Sequence, residues 1–173
     1  MNRFLKTTII FLFFSIISYA QSINLIEGKK FRGAIFPSTY KNSAYTCFEN
    51  ENRFTPTHEE VLNFEKKLYR NLKNINVKRL NQKGKCPVIQ NNLSSYIRQY
   101  LGFIDESGKK YLLVNFLWID SIRDEIPNDE YYNELADWRK SWQVWFDGCS
   151  HFWNVKYYLE SETLFDLHVN GSE

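Results

Sequence analysis

Residues 111–119 read Tyr-Leu-Leu-Val-Asn-Phe-Leu-Trp-Ile, nine residues with one polar side chain, Asn115. A short run this apolar forms a strand buried in the middle of a sheet, because an edge or solvent-facing strand would alternate apolar with polar residues. Just upstream, Asp105-Glu106-Ser107-Gly108 supplies turn chemistry, and residues 96–104 alternate aromatic and polar side chains. The two segments therefore predict a β-hairpin whose second strand is the buried one.

The element that covers such a sheet is written between residues 57 and 72. Thr57-His58-Glu59-Glu60 has capping-box spacing, in which the Thr57 hydroxyl accepts from the Glu60 amide and the Glu60 carboxylate accepts from the Thr57 amide. Beyond it Val61, Phe64, Leu68 and Leu72, joined by Leu62 and Tyr69, recur at three- and four-residue steps. Glu65, Lys66, Arg70 and Lys73 fall on the other side, so the spacing predicts one amphipathic helix of about four to five turns.

The remaining segments are read in the same way. Residues 29–35 predict a first strand and residues 37–53 a polar loop. Residues 120–140 form a long connection with seven acidic side chains, and after Asn128 the spacing of Tyr131, Tyr132, Leu135 and Trp138 predicts a short helix in its second half. Residues 141–147 and 151–159 predict a second hairpin around Gly148, and residues 164–169 a last strand. The expected architecture is α+β: one main amphipathic helix packed on a four- or five-stranded antiparallel sheet, layered as in cystatins. That comparison concerns layering alone, since a fold does not fix a function.

Arg3 and Lys6 precede an apolar run over residues 9–17, and Ser18-Tyr19-Ala20 places small residues at the positions of a cleavage site. The three-part pattern predicts a cleavable secretory signal over residues 1–20, and the apolar run is shorter than the roughly 18–20 residues a membrane span needs. Residues 21–173 then form a single domain that enters no membrane. The signal holds two of the 22 basic residues and none of the 20 acidic ones, leaving 20 of each in the mature chain. A balanced charge gives no sign of a bulk electrostatic partner such as nucleic acid or an anionic membrane, and the basic residues between 73 and 85 read as a solvated face. Three cysteines remain, Cys47, Cys86 and Cys149. In an oxidising compartment two of them pair, and the turn-rich surroundings of Cys47 and Cys86 favour that bridge.

The segments 96–104, 146–157 (with Asp147-Gly148-Cys149-Ser150-His151 at its turn) and 165–171 (ending Val169-Asn170-Gly171) are similar to a group of small exported proteins of Bacteroidota. The resemblance spans residues 96–171, roughly half of the mature chain. It implies a periplasmic or secreted location and brings no activity with it. In that group the turn more often reads Asp-Gly-Gly, so Cys149 departs from the pattern, which argues against a shared catalytic role for it.

Two constellations bear on function. Cys149 and His151, two residues apart, would share one face of a strand, and a thiolate beside an imidazolium is an activated nucleophile, the basis of a thiol-dependent hydrolase reading. The same five residues also suit a tight turn, and the chain shows no nucleophile-elbow motif. His58, His151 and His168 stand too far apart for a ligand motif, and the acidic connection lacks the pattern of a calcium loop, so no metal or cofactor is expected. The second constellation is aromatic: Trp138, Trp142, Trp145 and Trp153. Either Trp145 and Trp153 form an exposed platform beside Asp147 on an open sheet face, or the acidic connection folds over them. The reading that follows is a non-enzymatic exported module that binds a protein or small ligand through Trp138, Trp145, Trp153 and Asp147, with no pocket of convergent titratable groups.

Overall fold

The computed structural model describes residues 22–41, 52–119 and 137–171. The expected short helix after Asn128 and most of the acidic connection lie outside the described residues, as does Cys47. Helix α1 (His58–Ile75) starts where the capping box places it: the Glu60 amide donates to Thr57 Oγ1 at 3.2 Å and the Thr57 amide to Glu60 Oε2 at 2.7 Å. Val61, Phe64, Leu68 and Leu72 are its buried stripe, as the spacing requires.

Seven strands form one sheet among the described residues: β1 (Asn24–Gly28), β2 (Phe31–Ile35), β3 (Arg53–Phe54), β4 (Tyr96–Ile104), β5 (Lys110–Trp118), β6 (Phe152–Tyr158) and β7 (Thr163–Val169). Their order is β1-β2-β4-β5-β6-β7, with β3 pairing β4 beyond the end of β2. The predicted hairpin is the β4–β5 pair, and β5 lies inside the sheet between β4 and β6. Two corrections are needed to the expected four or five antiparallel strands. The sheet gains β1 and β3 at one side, and β2 runs parallel to β4 because the chain crosses over through α1 before re-entering the sheet. Gly33 permits that contact, since a Cβ there would lie 2.5 Å from the Arg98 carbonyl oxygen and 2.8 Å from the Tyr100 ring.

Strand alternation sorts the apolar residues onto two faces. Toward α1 lie Tyr96, Tyr100, Leu112, Val114, Phe116, Trp153, Val155 and Tyr157, packed with the helix stripe. Phe116 and Trp153 stack there at 3.6 Å with their planes 7° apart. On the opposite face Ala34, Phe36, Ile97, Leu101, Leu117 and Phe152 pack against Trp138 and Trp142. This second core is absent from a one-helix-on-sheet layering, and residues 137–144 create it. Residues 141–147 were expected as a strand. Instead they cross the sheet face without joining the ladder: Trp142 is buried and Val144 packs on the second core, whereas Phe146, which shares their period, is exposed.

Side-chain amides hold that crossing segment in place. Gln99 Nε2 donates to the carbonyls of Trp138 (2.8 Å) and Ser141 (2.7 Å), while its Oε1 accepts from the Gln143 amide (2.9 Å) and from Asn115 Nδ2 (3.2 Å). Asn115 Nδ2 also donates to the Gln143 carbonyl at 2.8 Å. Asn115, the one polar residue of the apolar run, thus faces Gln99 across the β4–β5 register. Gln99→Leu would take the donor from the buried Trp138 carbonyl and the acceptor from the Gln143 amide, while the Ser141 carbonyl keeps Gln143 Nε2 at 3.1 Å. It is expected to cost about 1–3 kcal/mol and to shift tryptophan emission to the red as Trp138 and Trp142 loosen. An unchanged unfolding midpoint in a denaturant titration would show that the segment is held some other way.

Candidate ligand-binding cleft

Beside this crossing segment the second face opens into a cleft of about 350 Å³. Trp142, Trp145, Phe146 and Phe152 form its aromatic wall, and Asn115, Asn154 and Asn170 bring amides into it. Phe152 is the base of the wall. Trp145 stacks on it at 4.5 Å with the planes 5° apart, and Phe152 packs against Gly148, where a Cβ would stand 2.8 Å from the ring. Gly148 has φ of +90°, so both its backbone conformation and its lack of a side chain are used. The adjoining strand end fixes the wall from below: Asn170 Nδ2 donates to the carbonyls of Trp145 (2.6 Å) and Asp147 (3.1 Å), and the Cys149 amide donates to the Gly171 carbonyl (2.7 Å). The Trp142 amide donates to Tyr40 Oη at 2.9 Å.

The predicted site residues separate. Trp145 is 45% exposed, and its neighbour Phe146 is 76% exposed. Trp153 is 1% exposed and lies on the helix side, so the expected Trp145–Trp153 platform does not form. Alternation along β6 turns Trp153 inward, and its neighbour Phe152 becomes the ring under Trp145. Trp138 is buried beneath the crossing segment, which leaves it no surface to offer a ligand. Asp147 is exposed at the turn that borders the cleft.

The cysteine reading is corrected by the disulfide, which joins Cys86 to Cys149 and not to Cys47. Cys149 Sγ lies 3.5 Å from His151 Nδ1, but the two residues belong to a 3₁₀ turn (Cys149–His151) and not to a strand. His151 Nδ1 is also 3.0 Å from the Gly148 carbonyl, and its ring packs edge-on against Trp118. While the disulfide is intact, Cys149 has no thiol for His151 to activate. His58 and His168 are exposed on α1 and β7, and among the described residues no three His, Cys, Asp or Glu side chains converge as metal ligands would.

A second cleft, of about 610 Å³, lies on the helix side with Glu65 and Arg98 in its lining and Lys30, Tyr69, Gln90 and Ser94 around them. Arg98 Nε donates to Glu65 Oε1 at 3.2 Å, Tyr100 Oη donates to the same oxygen at 2.8 Å, and Arg98 Nη1 donates to the Tyr96 carbonyl. The guanidinium sits near the rings of Phe116 (5.3 Å) and Phe31 (5.8 Å). Burial pushes the Glu65 carboxyl above its ordinary range, and the Arg98 charge and the two hydrogen bonds pull it back. Here the expectation of no pocket with convergent titratable groups is overturned. Helical spacing placed Glu65 on the polar side of α1, whereas it turns in to meet Arg98. The signal that could have found the pair is Arg98 itself, which occupies an inward position between Tyr96 and Tyr100 in the alternation of β4. These groups satisfy one another, which suits a buried structural pair.

Among the described residues no helix is long and apolar enough to cross a membrane. Comparisons with protein-family models, with curated proteins and with solved structures find no match for this chain.

Proposed function

We propose that this protein is an exported, non-enzymatic binding module that seats its ligand in the aromatic–amide cleft of the second sheet face. One observation carries the reading: a tryptophan left 45% exposed on a stacked ring, next to amide side chains, in a cleft with no ionisable group among its described lining residues. Rigid aromatic anchors with a few placed polar groups are how small-ligand sites gain affinity at little ordering cost. Export is supported by the three-part pattern of residues 1–20 and agrees with a disulfide, which persists in oxidising compartments. The resemblance to small exported proteins of Bacteroidota supports a periplasmic or secreted location.

The reading is tested by nitrogen–proton correlation spectra of the exported chain titrated with a set of fragment-sized probes. Shifts are expected at the Trp145 indole and at the side-chain amides of Asn154 and Asn170, and Trp145→Ala should abolish them while costing at most about 1.5 kcal/mol of stability. Shifts gathered around Lys30 and Arg98 would move the site to the other cleft. The alternative, a thiol-dependent hydrolase using Cys149 and His151, requires the Cys86–Cys149 bond to be reduced first. Probe turnover that appears only after reduction would favour it.

A further inference from the structure

We infer that the ligand of this cleft is a neutral carbohydrate, a pyranose ring lying against Trp145 with its hydroxyls on the neighbouring asparagine amides. The inference rests on the cleft being the binding site and adds the chemical class of what it holds. Three features of the cleft point to that class.

The first is charge. Among the described residues no Asp, Glu, Lys, Arg or His lines the cleft, so an ionic ligand would be desolvated there without a counter-charge from them. The second is the shape of the apolar part. One face of Trp145 is covered by Phe152, so what it exposes is the opposite face and the rim of a flat, immobilised ring. A flat ring of this kind accepts a ligand with one planar patch of C–H groups, as a pyranose has, and gives little grip to a bulky or branched apolar group.

The third feature is the kind of polar group present. A sugar hydroxyl both donates and accepts, and a primary amide is the neutral side chain that does the same. Asn154 is half-buried on β6 and makes no side-chain hydrogen bond among the described residues. Asn115 spends its Nδ2 on the Gln99 side-chain oxygen and the Gln143 carbonyl, Asn170 its Nδ2 on two backbone carbonyls, and neither Oδ1 has a partner among the described residues. Asn115 and Asn154 face each other in the β5–β6 register, on adjacent strands about 4.8 Å apart. Donors and acceptors are therefore presented side by side on a rigid sheet, next to the stacking ring.

The test is calorimetric titration of the exported, disulfide-bonded chain with neutral tetrasaccharides (cellotetraose, laminaritetraose, mannotetraose and the N-acetylglucosamine tetramer), a tetragalacturonate, and a polyproline peptide as a sugar-free ligand for aromatic grooves. At least one neutral tetrasaccharide is expected to bind, about tenfold or more weaker to Trp145→Ala and weaker again to Asn154→Ala, with tetragalacturonate silent. Thermal unfolding of both variants near the parent temperature separates a lost contact from a lost fold. Binding of polyproline but of no neutral sugar, with the same dependence on Trp145, would overturn the carbohydrate class and leave the cleft as the binding site. Sugar binding indifferent to both substitutions would overturn the inference, and silence from every probe would overturn both it and the reading of the cleft.

Discussion

Arg98→Ala is expected to destabilise the protein by about 3–5 kcal/mol, because it strips a buried carboxylate of its charge partner. The argument starts from position. Arg98 is 1% exposed, between Tyr96 and Tyr100 on the helix face of β4, and its guanidinium is the only positive charge that hydrogen-bonds Glu65 among the described residues. Removing it leaves a carboxylate that burial already disfavours, held by Tyr100 alone, and withdraws the donor on the Tyr96 carbonyl. The pH dependence gives the prediction its sign. A buried carboxyl whose folded pKa is raised binds more protons folded than unfolded, so stability rises as pH falls through the folded pKa and levels off below the unfolded value near 4.5. Loss of Arg98 removes the largest influence holding that pKa down, which widens the window. The variant should therefore be weakest near neutral pH and recover part of the loss toward pH 5. Urea unfolding at several pH values checks it, and a cost independent of pH would assign the loss to packing against Phe31 and Phe116.

Cys149→Ser is the second large effect. The Cys86–Cys149 bond closes a loop with a sequence separation of 63 residues, which corresponds to about 4 kcal/mol of unfolded-state entropy in the chain-entropy account. That loop contains β4 and β5, and the bond ties the segment after α1 to the turn supporting Phe152 and Trp145. The serine variant and the reduced parent should unfold at similar denaturant concentrations, both well below the oxidised parent. Alkylation of the unreduced protein should label Cys47, the one cysteine left over. Labelling at Cys149 would contradict the pairing and restore a thiol beside His151.

Some of this was legible in the sequence because it is written locally. The capping box at Thr57 and Glu60, the apolar stripe of α1 and the 96–118 hairpin each depend on neighbours within a few residues, and each stands where its pattern places it. What was missed depends on distant partners. Parallel pairing of β2 with β4 brings together residues such as Gly33 and Arg98, and no local spacing announces it. Residues 141–147 form a segment whose residue types have the period of a strand, yet burial falls from Trp142 to Phe146 and does not alternate. Only the Gln99 and Asn115 amides, capturing its backbone from below, show that it is not one. The cysteine pairing failed for the same reason, since connectivity is decided by the fold that brings Cys86 to Cys149. The candidate site was half legible: Trp145 was named, but its partner ring was assigned to Trp153 in place of Phe152, one residue away and on the opposite face.

The proposal for function depends on an open second face that presents one indole to solvent. Of the five tryptophans, Trp138, Trp142 and Trp153 are buried and Trp118 is half-buried, while Trp145 is exposed. Acrylamide quenching of tryptophan fluorescence, compared between the parent and Trp145→Phe, reads that difference directly. The account predicts a readily quenched component in the parent that disappears in the variant. Quenching that is weak in the parent and unchanged by the substitution would mean that Trp145 is covered, with no open cleft for a ligand to enter.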